Sequence, residues 1–127
     1  WEAVRDARDA ALQFLHERFA AGDEVRGFEV DQVARALIED RGYGDRFVHR
    51  TGHSIDTDLH GSGPNLDDLE TRDDRLLVPG IGFSVEPGIY VPDEIGIRAE
   101  VNVHWGSTGP EVTPADVQKE IFLLLDD

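Results

Sequence analysis

The segments IGFSVEPGIY (81–90) and GIRAEVNVH (96–104) constrain the fold most, because their side chains match when the chain folds back on itself about Asp93. Their alternation is the signal of a strand, and two such runs joined by a short break read as a hairpin. Residues equidistant from Asp93 then face each other. Phe83 meets Val103, Val85 meets Val101, Pro87 meets Ala99 and Ile89 meets Ile97, which makes one face wholly apolar. The other face carries Ser84 opposite Asn102, Gly88 opposite Arg98, and Glu86 opposite Glu100. A slip by one residue would send one glutamate to the wrong face, so the apolar matching fixes the pairing.

Facing carboxylates with Cβ atoms about 5 Å apart destabilise a sheet unless a cation sits between them or one is protonated. Arg98 is one candidate cation, giving a purely structural ion pair. A divalent metal is the other, because such ions accept carboxylate oxygens with imidazole nitrogen as a common further ligand.

Imidazoles lie upstream. HRTGHSIDTDLH (49–60) holds His49, His53 and His60, three of the five histidines in the chain, in a stretch that reads as strand or loop. A single histidine in such a loop is ordinarily just solvated or hydrogen-bonded. Three followed by a facing glutamate pair point to a metal or acid–base site. His16 lies on the polar side of a helix, and His104 extends the polar strand face as a structural or peripheral residue.

Two helices precede the histidines. Val4, Ala7, Ala11, Phe14 and Leu15 recur at helical spacing until Gly22. Val30, Val33, Ala34, Leu37 and Ile38 form a second stripe that ends at RGYG, where Gly42 suits a left-handed cap. Residues 61–80 are turn-rich and predict a long loop with room for one short helical turn. Its acidic part, Asp67 to Asp74, reads as a solvated face, with substrate gating or partner contact as the alternative. The last apolar run, IFLLL, predicts an additional strand.

At 127 residues the chain fits one domain. Its formal charge of -15 disfavours nucleic acid as a partner. No stretch has the length of a membrane span. The absence of cysteine removes disulfides and thiolate metal sites, and makes a cytoplasmic setting the default expectation. The chain also lacks methionine and opens inside a helical pattern, so it is expected to be a piece of something longer.

HRTGHSIDTDLHG, PGIGFSVEPGIY and GIRAE, in that order, resemble the signature segments of the pita-bread (M24) metallopeptidases. EPGIY and GIR favour the Xaa-Pro aminopeptidase and prolidase branch. The resemblance implies an α+β fold, with two helices packed on a curved antiparallel sheet. It also implies that residues 1–127 form the C-terminal half of the catalytic domain. His53, Glu86 and Glu100 are implied as metal ligands of a centre with two divalent ions, Mn expected and Co or Zn tolerated. His49 and His60 are implied to hold the substrate carbonyl and tetrahedral intermediate or relay a proton. Arg98 is implied to orient the hairpin carboxylates. In that family the two ions share a water that attacks the scissile carbonyl, and Glu86 would assist its deprotonation.

The implied substrate is a peptide with proline at P1′, and the implied full-length assembly is a homodimer. The family's two aspartate ligands match nothing in these residues, so this half alone is expected to be a poor catalyst. Two alternatives stay open: a non-catalytic peptide- or protein-binding module on the same scaffold, and a metal-free hydrolase resembling creatinase.

Overall fold

The computed structural model describes residues 1–125 of the chain. Helix α1 spans Glu2–Ala21 and helix α2 spans Gly27–Asp40. Gly22 ends α1 at φ 73°, in the left-handed region that a residue without Cβ adopts freely. The amides of Gly22 and Asp23 return to the carbonyls of Phe19 and Arg18. At the start of α2, Glu29 reaches back to accept the Arg26 N–H at 2.7 Å. Gly42 has φ 84° just beyond α2, as its sequence position predicts.

Strands β1 (Ser54–Ile55), β2 (Ile81–Val85), β5 (Val101–Gly106) and β6 (Gly109–Thr113) form an antiparallel sheet in the order β1-β2-β5-β6. Strands β3 (Gly88–Val91) and β4 (Ile95–Arg98) form a second, two-stranded sheet. The register is the one read from the sequence. Phe83 pairs with Val103 and Val85 with Val101, then Gly88 with Arg98 and Ile89 with Ile97. Asp93, at the tip, has φ 61°. The ladder is interrupted at Glu86–Pro87 and Ala99–Glu100, where Pro87 has no N–H to donate. The Ala99 amide still reaches the Pro87 carbonyl at 3.2 Å, so the register runs through the break.

The apolar faces of both helices close over the sheet. Val4, Ala7, Ala11 and Leu15 of α1 and Val30, Ala34 and Ile38 of α2 are buried with Phe83, Val85, Val101 and Val103. Phe19 meets Trp105 edge to face at 5.5 Å, tying α1 to β5. This is the expected α+β arrangement of two helices on an antiparallel sheet.

Three local expectations are corrected. The run Ile121–Leu125 forms no strand, since it pairs with neither edge of the four-stranded sheet, β1 or β6. Its side chains are exposed, Leu124 at 96%, and the extra strand is β6 instead. Residues 61–80 contain no helical turn; among the described residues the one short helix is a 3-10 helix at Gly44–Arg46. The acidic segment is only partly solvated. Asp67 is buried and accepts the Leu69 and Glu70 amides, while buried Asp73 accepts the Asn65 amide and pairs with Arg75. These carboxylates replace the hydrogen bonds that a loop without helix or ladder cannot make for itself.

Candidate metal and acid–base site

The histidine segment lies along β2 at backbone distance. Glu86 donates its amide to the Thr51 carbonyl at 2.7 Å, and Ser84 donates its amide to the His53 carbonyl at 2.9 Å. Gly52, between them, lies so close that a Cβ there would stand 1.8 Å from the Ser84 carbonyl oxygen. The glycine before His53 is therefore required by sterics. The Ser84 hydroxyl accepts the His53 N–H at 2.9 Å and donates to Glu86 Oε1 at 2.8 Å, fixing both residues from one strand.

His53 is buried, and its Nδ1 lies 3.0 Å from the Ser54 carbonyl oxygen. A carbonyl only accepts, so Nδ1 carries the hydrogen and Nε2 presents a lone pair in the neutral ring. That Nε2 stands 3.2 Å from Glu86 Oε1, also an acceptor. Two acceptors at that distance need a shared proton or a cation, which is the pairing of imidazole and carboxylate that divalent metals accept.

The other oxygen of Glu86 is held by Arg98, whose Nη1 donates to Oε2 at 3.0 Å. The structural ion pair open in the sequence is thus present. Arg98 Nε donates to the Tyr90 hydroxyl at 2.9 Å, and that hydroxyl lies 2.8 Å from His49 Nε2. His49 Nδ1 is 2.7 Å from the Arg50 carbonyl oxygen, so Nε2 is the acceptor and Tyr90 the donor. Partial burial works to lower the Arg98 pKa. The hydrogen bond to Tyr90 and the charges of Tyr90, Glu86 and Glu100 outweigh it, and the net direction is up.

His60 is exposed, with its ring centroid 4.4 Å from that of His53. Glu100 lies across the hairpin from Glu86 by register but is exposed. Among the described residues no three His, Asp or Glu side chains are arranged to hold a metal ion. Of the implied ligands, His53 and Glu86 come together and Glu100 does not. His16 is exposed, as read from the sequence, and His104 is exposed as well.

Tyr90 is the residue that sequence reasoning missed. Its signal was available in the glycines around it: a Cβ at Gly88 would meet the Tyr90 hydroxyl at 2.6 Å, and one at Gly96 would meet the ring at 2.9 Å. Both glycines leave room for an aromatic ring to lie across the hairpin toward His49.

An α+β fold of this topology, with a buried His–Glu pair beside an Arg–Tyr–His chain, suits a hydrolase of the metallopeptidase class. Residues 1–105 match the model of metallopeptidase family M24, and the chain belongs to that family. It is 38% identical over 100 residues to the Xaa-Pro dipeptidase of Lactobacillus delbrueckii subsp. lactis, a match covering 79% of this chain and 24% of that protein. The structure of an Xaa-Pro dipeptidase from Bacillus anthracis superposes with a TM-score of 0.81 at 33% identity, over 96% of this chain and 32% of that one. An X-Pro aminopeptidase from Thermotoga maritima superposes with a TM-score of 0.73 at 33% identity, over 87% and 29%. The chain thus spans between 24% and 32% of these relatives. No helix among the described residues is long and apolar enough to cross a membrane.

Proposed function

We propose that this chain is the C-terminal half of the catalytic domain of a metal-dependent exopeptidase that hydrolyses the Xaa-Pro bond of dipeptides or peptide N-termini. The observation that carries the reading is the approach of His53 Nε2 to Glu86 Oε1 with Nδ1 already committed to a carbonyl. His53, Glu86 and Glu100 would hold divalent cations, with Mn the expected ion and two aspartates from the remainder of the domain completing the set. When bound, such cations supply Lewis acidity and lower the pKa of a water.

The chain's own groups do the rest. Glu86, buried and held by Ser84 and Arg98, would serve as the base that takes up a proton. Exposed His60, whose ring lies against that of His53, would hold the substrate carbonyl as negative charge develops on it, and His49, whose Nε2 accepts from Tyr90, would relay a proton. Arg98 holds the Glu86 carboxylate in one orientation through a charge-assisted hydrogen bond. A homodimeric, cytoplasmic full-length protein belongs to the same proposal.

One observation favours a second reading, a peptide-binding module without catalysis: Ser84 and Arg98 already satisfy Glu86 without a metal. Assay of the full-length protein on an Xaa-Pro dipeptide and tripeptide, with and without Mn, separates the two. Hydrolysis that needs Mn and is lost in Glu86→Gln is expected. Peptide binding without hydrolysis selects the module, and metal-independent hydrolysis overturns the mechanism.

A further inference from the structure

Asp31 on α2 is a fully buried carboxylate. Its Oδ1 accepts both the amide and the hydroxyl of Thr51, each at 2.8 Å. Arg35, one turn later, closes on the same carboxylate through Nε at 2.9 Å and Nη2 at 3.0 Å. The guanidinium also donates to the Phe47 carbonyl at 3.0 Å and the His49 carbonyl at 2.9 Å. Its plane lies over the Phe47 ring at 4.2 Å, and that ring meets the His49 imidazole edge-on at 5.2 Å. Two residues of one helix therefore grip the extended segment before β1 at positions 47, 49 and 51.

We propose that Asp31 and Arg35 are positioning residues for the hydrolytic site, a reading that rests on the peptidase function above. The gripped segment carries His49 itself, and the Thr51 carbonyl receives the Glu86 amide at 2.7 Å. The pair thus fixes the segment that carries His49 and that receives the Glu86 amide, and so sets the two residues relative to each other. The geometry needs a fork. Nε, Nη1 and Nη2 reach three different acceptor groups, and a single ammonium cannot span them. Both groups are ionic and enclosed, so loss of either leaves its partner without compensation.

The test uses the intact protein with Arg35→Lys, Asp31→Asn and the milder Thr51→Val, which removes only the hydroxyl donor. A shift of reacting groups by about 1 Å costs on the order of a hundredfold. The expected result is a kcat lowered about tenfold or more in Arg35→Lys with KM within about twofold, because the affected contact is made in the transition state. The imidazole 15N signals of His49 are expected to move in the same variant, with or without metal, and to a lesser degree in Thr51→Val. Lowered thermal stability with unchanged kcat per folded molecule and unmoved His49 signals overturns the proposal in favour of a structural role. If the wild type hydrolyses no Xaa-Pro peptide, the peptidase reading fails, and the His49 signals alone decide whether the grip sets the imidazole. Should Arg35→Lys not fold, Thr51→Val decides on the same readouts.

Discussion

His53 and Glu86 face each other through two acceptor atoms 3.2 Å apart, each residue held from behind by Ser84 of β2. In Glu86→Gln the amide N–H can donate to His53 Nε2, so the gap closes without a cation. The variant of the intact protein is expected to remain folded while its Mn affinity falls about 10- to 100-fold, the range for a disturbed metal environment. Calorimetric titration with Mn checks this. Equal affinity in wild type and variant would remove Glu86 from the ligand set.

Gly52 makes that arrangement possible. A methyl group there would collide with the Ser84 carbonyl at 1.8 Å, and Leu66 Cδ1 lies 3.3 Å away, so β2 must shift. Overpacking against backbone leaves little to yield, and Gly52→Ala is expected to lose about 3 kcal/mol of stability. Urea denaturation measures the loss. A variant as stable as the wild type would mean that the strand spacing is softer than the contacts imply.

The hairpin register and the helix ends were legible in the sequence because they rest on local rules: alternation about Asp93, and glycines at φ 73° and 84° after the helices. That His53 and Glu86 lie together follows from similarly local features, a short motif for one and a fixed register position for the other. The grip of Asp31 and Arg35 on residues 47–51 was not, because it is tertiary and its charges look like ordinary polar positions of an amphipathic helix. The IFLLL run misled for the opposite reason: its composition favours a strand, but a strand needs a pairing partner, and here the run stays unpaired and exposed although β1 and β6 are open edges.

Asp73 gives the acidic loop a pH dependence of known sign. Burial works to raise its pKa, but hydrogen bonds from the Arg75 side chain and from the Asn65 and Arg75 amides outweigh this and hold it below the ordinary 3.8. A depressed folded-state value contributes stability that is present above the unfolded value and is lost as pH falls through the folded one. Asp73→Asn is therefore expected to be less stable than wild type at neutral pH by about 1–3 kcal/mol. The difference should shrink as the solution is acidified below 3.8. Urea midpoints across that range test it, and a difference independent of pH would mean that the carboxylate charge does not matter.

Arg98 joins Glu86 to Tyr90 with two different nitrogens, Nη1 at 3.0 Å and Nε at 2.9 Å. Its raised pKa keeps it charged throughout the working range, so its role does not depend on titration. Arg98→Lys keeps the charge and removes the fork, which separates the two contributions. Because the side chain is 44% exposed, the change should cost little stability. In the intact protein kcat/KM for an Xaa-Pro dipeptide is expected to fall about 10- to 100-fold. Arg98→Met should fall at least as far, since it lacks the charge as well. Full activity in Arg98→Lys would show that charge alone suffices, and that the link through Tyr90 to His49 is not needed.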